Sequence, residues 1–81
     1  METNKEELSI RGILIPAEWD EEGNIIGLSI MTVDEKEYVV EEKTKRRGLL
    51  DLVRHEVEVR GLAREEAGRK AILVESYKQI R

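Results

Sequence analysis

The 81-residue chain predicts a mainly β protein, a five-stranded Greek-key barrel with a short helix between strands 3 and 4. Three observations carry this. Strand-like runs occupy residues 8–19, 24–33, 37–41, 55–63 and 70–77. The one stretch at helical spacing, residues 44–53, follows the third run. Gly12, Gly27 and Gly61 interrupt three different runs, as the repeated coiling of strands in a closing barrel requires.

The first run contains Gly12 and Pro16, and its alternation is lost where Ile13, Leu14 and Ile15 follow one another. Glycine inside a strand marks a bulge or sharp coil, and proline cannot donate to a ladder. This run is therefore expected to be long and bent. Residues 20–24, Asp-Glu-Glu-Gly-Asn, read as a hairpin loop with glycine at a positive φ. In the second run Ile26, Leu28, Ile30 and Thr32 are expected to face inward, leaving Ile25, Gly27, Ser29, Met31 and Val33 outside. Asp34-Glu35-Lys36 turns the chain into Tyr38-Val39-Val40, completing a meander.

Leu49, Leu50, Leu52 and Val53 then fall at helical spacing. The start of this helix is poor. Thr44 is available as a cap, but Arg47 stands where a capping box wants Glu, and Gly48 costs about 1 kcal/mol relative to alanine. Such a helix persists only by packing its leucines onto something apolar, and the open end of a barrel is the natural recipient. Val57 and Val59 alternate with Glu56, Glu58 and Arg60 in a clean period of two. Residues 65–68 close a second hairpin. Ile72, Val74 and Ser76 are expected inside the last strand, with Ala71, Leu73, Glu75 and Tyr77 outside. The core is accordingly predicted at Leu28, Ile30, Val57, Val59, Ile72 and Val74.

Length and composition bound the reading. The sequence reads as one domain over residues 1–81, with residues 1–7 expected to be flexible, and a chain of this size buries only about 60–65% of its unfolded surface. There is no cysteine, so disulfides and thiolate metal sites are excluded. No apolar run approaches the roughly 18 residues of a membrane span, and no membrane partner is expected. The polar, acidic N-terminus is unlike a signal peptide; with Met1 as the start, a cytoplasmic protein is expected. Net charge is −4, but it is unevenly placed: residues 1–40 carry three basic and ten acidic groups, and residues 41–81 carry eleven basic and eight acidic. Asymmetry of this kind marks a partner surface or simply the polar exterior of a small barrel.

The second half carries a family resemblance. Gly48-Leu49-Leu50-Asp51-Leu52-Val53, then Val57-Glu58-Val59-Arg60-Gly61, then Ile72-Leu73-Val74-Glu75-Ser76-Tyr77 resembles the cadence of small prokaryotic OB-fold proteins with no assigned function. The resemblance spans roughly residues 8–78 and rests on hydrophobic cadence and glycines. It implies a five-stranded barrel that binds oligonucleotides, oligosaccharides or proteins. An SH3-like barrel is the competing architecture, and the intervening helix argues against it.

Catalytic chemistry is sparse in the sequence. Covalent catalysis needs a nucleophile, a base and an orienting group, whereas His55 is the only histidine and the serines are Ser9, Ser29 and Ser76. His55 beside Arg54 suits a helix C-terminus. Asp20, Glu21 and Glu22 lack calcium-loop spacing, and no glycine-rich phosphate loop occurs. The expectation is a non-catalytic binding module without cofactor or metal.

Single-stranded nucleic acid is the leading ligand expected, and a protein partner is the alternative. Single-stranded nucleic acid needs cations beside stacking faces. Lys43, Lys45, Arg46 and Arg47 supply four positive groups in five residues, and Trp19, Tyr38 and Tyr77 are the stacking candidates, Trp19 and Tyr38 on strands that border or form the usual OB binding face. The acidic loop beside Trp19 opposes this. A protein partner draws instead on Ile25, Met31, Val33 and Leu73, the apolar residues left outside by the inward assignment. With 40% charged residues and a net charge of −4, a monomer is expected.

Overall fold

The structure, a computed structural model, describes residues 5–41 and 48–80. Five strands, β1 (Lys5–Trp19), β2 (Ile25–Thr32), β3 (Glu37–Val40), β4 (Glu56–Glu66) and β5 (Arg69–Gln79), close into a barrel in the order β1-β2-β3-β5-β4. All neighbours are antiparallel except β3 and β5, which run parallel. After the β1-β2-β3 meander, β4 returns by the long connection to lie beside β1, which is a Greek key.

Closure depends on β1 serving two partners. Lys5–Ile13 pairs with β4 and Gly12–Trp19 with β2, so the strand bends where the two ladders overlap. Gly12 sits at that overlap. A Cβ there would lie 2.2 Å from the Met31 carbonyl oxygen, so only glycine permits the approach of β1 to β2. Gly61 does the same for β4 and β5, where a Cβ would lie 2.0 Å from the Leu73 carbonyl oxygen.

The core consists of Leu14, Leu28, Ile30, Val40, Leu49, Val57, Val59, Ala63, Ile72 and Val74. All six residues predicted for the core, Leu28, Ile30, Val57, Val59, Ile72 and Val74, are among them. β1 begins at Lys5, three residues before the expected start.

Register shifts overturn four side-chain assignments. Between β1 and β2 the pairing slips on both sides of Glu18, first between Pro16 and Glu18 and then between Glu18 and Trp19. Because each extra residue reverses the faces beyond it, Ile26, expected inside, is 41% exposed, while Ile25, expected outside, packs against the core. A shift between Arg60 and Gly61 does the same on β5: Tyr77 stands opposite Val59, and Ser76, expected inside, is exposed opposite Arg60.

The expected short helix lies between β3 and β4. Its described part is a single 3-10 turn, η1 (Leu49–Leu52), and Thr44 lies outside the described residues. Leu49 is fully buried, and Leu52 and Val53 pack against the core, so the turn fills one end of the barrel. Pairing fixes it there. Arg54, in a left-handed conformation at φ 73°, donates its N–H to the Leu14 carbonyl, and Leu14 donates in turn to the His55 carbonyl at 3.1 Å.

Candidate functional site

Of the aromatic candidates for nucleic acid, Trp19 and Tyr38 occupy opposite ends of the barrel. Trp19 ends β1 opposite Ile25 and is 54% exposed. Tyr38 stands opposite Ile30 on the inward side of β3, half-buried against the core, and lines the far mouth with Leu8, Ala63 and Lys70. Five strand residues separate Ile25 from Ile30, about 17 Å at the usual rise. The rings therefore share no platform. Lys43, Lys45, Arg46 and Arg47 lie outside the described residues.

The loop beside Trp19 is tightly built around one carboxylate. Asp20 accepts from the Glu22 and Asn24 backbone N–H groups at 2.9 Å each and from the Asn24 side-chain amide at 3.2 Å, and Gly23 adopts φ 89°. These hydrogen bonds, led by the Asn24 backbone N–H, hold the Asp20 carboxyl below its ordinary range. The loop thus presents an ionised carboxylate beside the exposed indole.

The residues expected to form a protein interface do not stay together. Ile25 belongs to the core margin, and Val33 is 87% exposed in the β2–β3 turn. Met31 and Leu73 are half-buried on the outer face, Met31 opposite Ile13 on β1 and Leu73 opposite Leu62 on β4. Met31 is part of a larger feature. In one row across the outside of the barrel Ile13 pairs with Met31, flanked by Glu56 on β4 and Glu37 on β3. In the adjacent row Ile15, Ser29, Val39 and Ala71 follow one another across β1, β2, β3 and β5. Directly opposed residues of a ladder share a face with Cβ atoms about 4.5–5.5 Å apart, so these side chains form one continuous strip.

Ser29 shows how closely the strip is packed. It points away from the core residues Leu28 and Ile30, yet its exposure is 0%, because its neighbours on the outer face close over it. Its hydroxyl has no hydrogen-bond partner among the described residues. Sequence reasoning missed Ile13, Ile15 and Val39. The signal was the loss of alternation in Ile13-Leu14-Ile15 and Tyr38-Val39-Val40, where consecutive apolar residues supply both sides of the wall.

Charge around the strip is uneven. Glu18 lies over Gly27, where a Cβ would come within 3.0 Å of the Glu18 Cβ, and so borders Ser29 from the β1–β2 end. Glu18, Glu37 and Glu56 form no ion pair among the described residues, nor does Arg69 beside Ala71. Nearby, Arg11 pairs with Glu58 at 3.8 Å, and Arg64 with Glu41 at 3.1 Å and Glu66 at 3.4 Å.

His55 closes η1, its N–H donating to the Leu52 carbonyl at 2.9 Å, and its Nδ1 lies 3.3 Å from the Gln79 side-chain amide. Among the described residues no group of three His, Asp or Glu is placed to hold a metal ion, and no helix is long and apolar enough to cross a membrane. Comparison with protein-family models, with curated proteins and with solved structures returns no match.

Proposed function

We propose that this protein is a non-catalytic interaction module on an OB-fold-like barrel, and that it binds a protein partner through the outer face of β1, β2 and β3. The single observation that carries the reading is the outer strip of Ile13, Ile15, Met31, Val39 and Ala71, packed tightly enough to cover Ser29. A barrel needs apolar residues on its inner side only, and a contiguous apolar patch outside is what a binding surface provides. The strand order and the 3-10 turn between β3 and β4 support the OB-fold kinship.

The test is selection of a random displayed peptide library on the protein, followed by NMR titration of a selected peptide. Amide shifts centred on Ile13, Ser29, Met31 and Val39, abolished by Met31→Glu, are the expected result. Peptides that bind equally well to Met31→Glu overturn the reading.

Single-stranded nucleic acid is the second reading, supported by the exposed indole of Trp19 and opposed by the carboxylates of the loop beside it. Titration with a mixed short oligonucleotide separates the two. Shifts around Trp19 and Tyr38 that fade between low and moderate salt support nucleic acid, and unchanged spectra at low salt remove it.

A further inference from the structure

The strip's border carries more unpaired acid than base. Glu18 closes it at the β1–β2 end, Glu37 at β3 and Glu56 at β4, and none has an ion-pair partner among the described residues. Arg69, next to Ala71 on β5, and Arg54, exposed and bonded through its N–H to Leu14 between Ile13 and Ile15, are the cations near this border without an ion-pair partner among the described residues. Elsewhere on the exterior Glu58 meets both Arg11 and Lys78, and Arg60 meets Glu7. Matched charges stabilise little at a surface, but unmatched ones around an apolar centre set partner preference and association rate.

We infer that the strip takes a polypeptide segment whose apolar side chains are flanked by lysine or arginine; this rests on the protein-binding reading above. The apolar side chains lie over Ile13, Ile15, Met31 and Val39, and the flanking cations reach Glu18, Glu37 and Glu56. Arg69 takes an acidic or carbonyl group at the β5 end. A second copy of the chain is the poorer occupant. A two-fold contact sets the same border against itself, and its unpaired carboxylates then outnumber its unpaired guanidinium groups in each copy.

Peptides are selected from a random displayed library in parallel on the wild type, on Met31→Glu, and on the triple variant Glu18→Lys, Glu37→Lys, Glu56→Lys. Each protein is first checked for a cooperative thermal transition. Wild-type selection should enrich Lys and Arg beside apolar residues, and the triple variant should enrich Asp and Glu instead. A wild-type-selected basic peptide should bind the triple variant about tenfold more weakly at low salt, the scale of three exposed charge contacts. Its affinity for the wild type should also fall as salt rises. Peptides that depend on Met31 but show neither cationic enrichment nor salt dependence overturn this inference and leave the protein-binding reading standing. A library that yields nothing beyond the Met31→Glu background removes both. Sedimentation of the wild type alone completes the test, since a dimer dissolved by Met31→Glu would assign the strip to a second copy.

Discussion

β4 and the middle of β1 are both built from branched aliphatics, but they face their surroundings differently. On β4, Val57, Val59 and Ala63 are buried, while Glu58 and Arg60 outside are each engaged by an opposite charge. On β1, Leu14 is buried, but Ile13 and Ile15 on either side of it point outward, and Ile13 remains 41% exposed. Over Val57–Arg60 the wall is apolar on one side, and over Ile13–Ile15 it is apolar on both. Only the first arrangement is needed to fold, because burying one face already supplies the core. The second places apolar area against water, and its matching neighbours on β2, β3 and β5 make that area continuous rather than scattered.

The contrast breaks most directly with a pair of truncations. Leu28→Ala, inside the barrel, should cost about 2–4 kcal/mol, the usual loss for a buried leucine. In a domain of this size that corresponds to a fall in Tm of roughly 10 °C or more in a thermal melt. Ile13→Ser, outside, should cost well under half as much. Equal losses would mean that the outer strip is itself a covered core and leave no free face for a partner.

Gly12→Ala and Gly61→Ala test whether the two walls share one closing device despite their different exteriors. Each introduces a Cβ onto a neighbouring strand's carbonyl oxygen, at 2.2 Å and 2.0 Å, and backbone cannot yield as a side chain can. A destabilisation of about 1–3 kcal/mol is expected for either, read by chemical denaturation. A neutral Gly61→Ala would show that β4 and β5 tolerate a wider separation than their register implies.

Met31→Glu sharpens the difference between folding and binding. Met31 is half-buried on the outer face, so the substitution should move stability by about 0.5 kcal/mol while abolishing peptide binding. A large stability loss would again place the strip in the core.

The smallest effect belongs to the β1–β2 loop. The Asp20 carboxyl is held below its ordinary value by the hydrogen bonds it accepts, chiefly from Asn24. A group shifted down on folding contributes stability that is fully present above its unfolded pKa, about 3.9, and is lost as pH falls through the lower folded value. Near neutral pH the loop should therefore be indifferent to pH. An NMR titration of the Asp20 carboxyl should show a midpoint below about 3.9, and a midpoint at or above it would mean that the loop hydrogen bonds do not persist in solution.

The architecture was legible along the chain because it depends on local signals. Alternation in residues 57–60 and 72–74, glycines inside strands, and Asp-Glu-Glu-Gly-Asn between two apolar runs each follow from side-chain direction or φ at a single place. Those signals were enough for five strands, their turns, the intervening helical turn and six core residues. The strip was not legible, because its rows are made between strands. Ile13 meets Met31 through the β1–β2 ladder and Ser29 meets Val39 through the β2–β3 ladder, and a shift of one residue in either would exchange the faces of a strand. The same physics moved Ile25 inward, Ile26 outward and Tyr77 opposite Val59. Sequence alone determined which segments are strands, which consecutive strands join by short turns, and that their inner faces are apolar. Tertiary structure decided which outward residues become neighbours, because that depends on bulges and on the closure of the barrel.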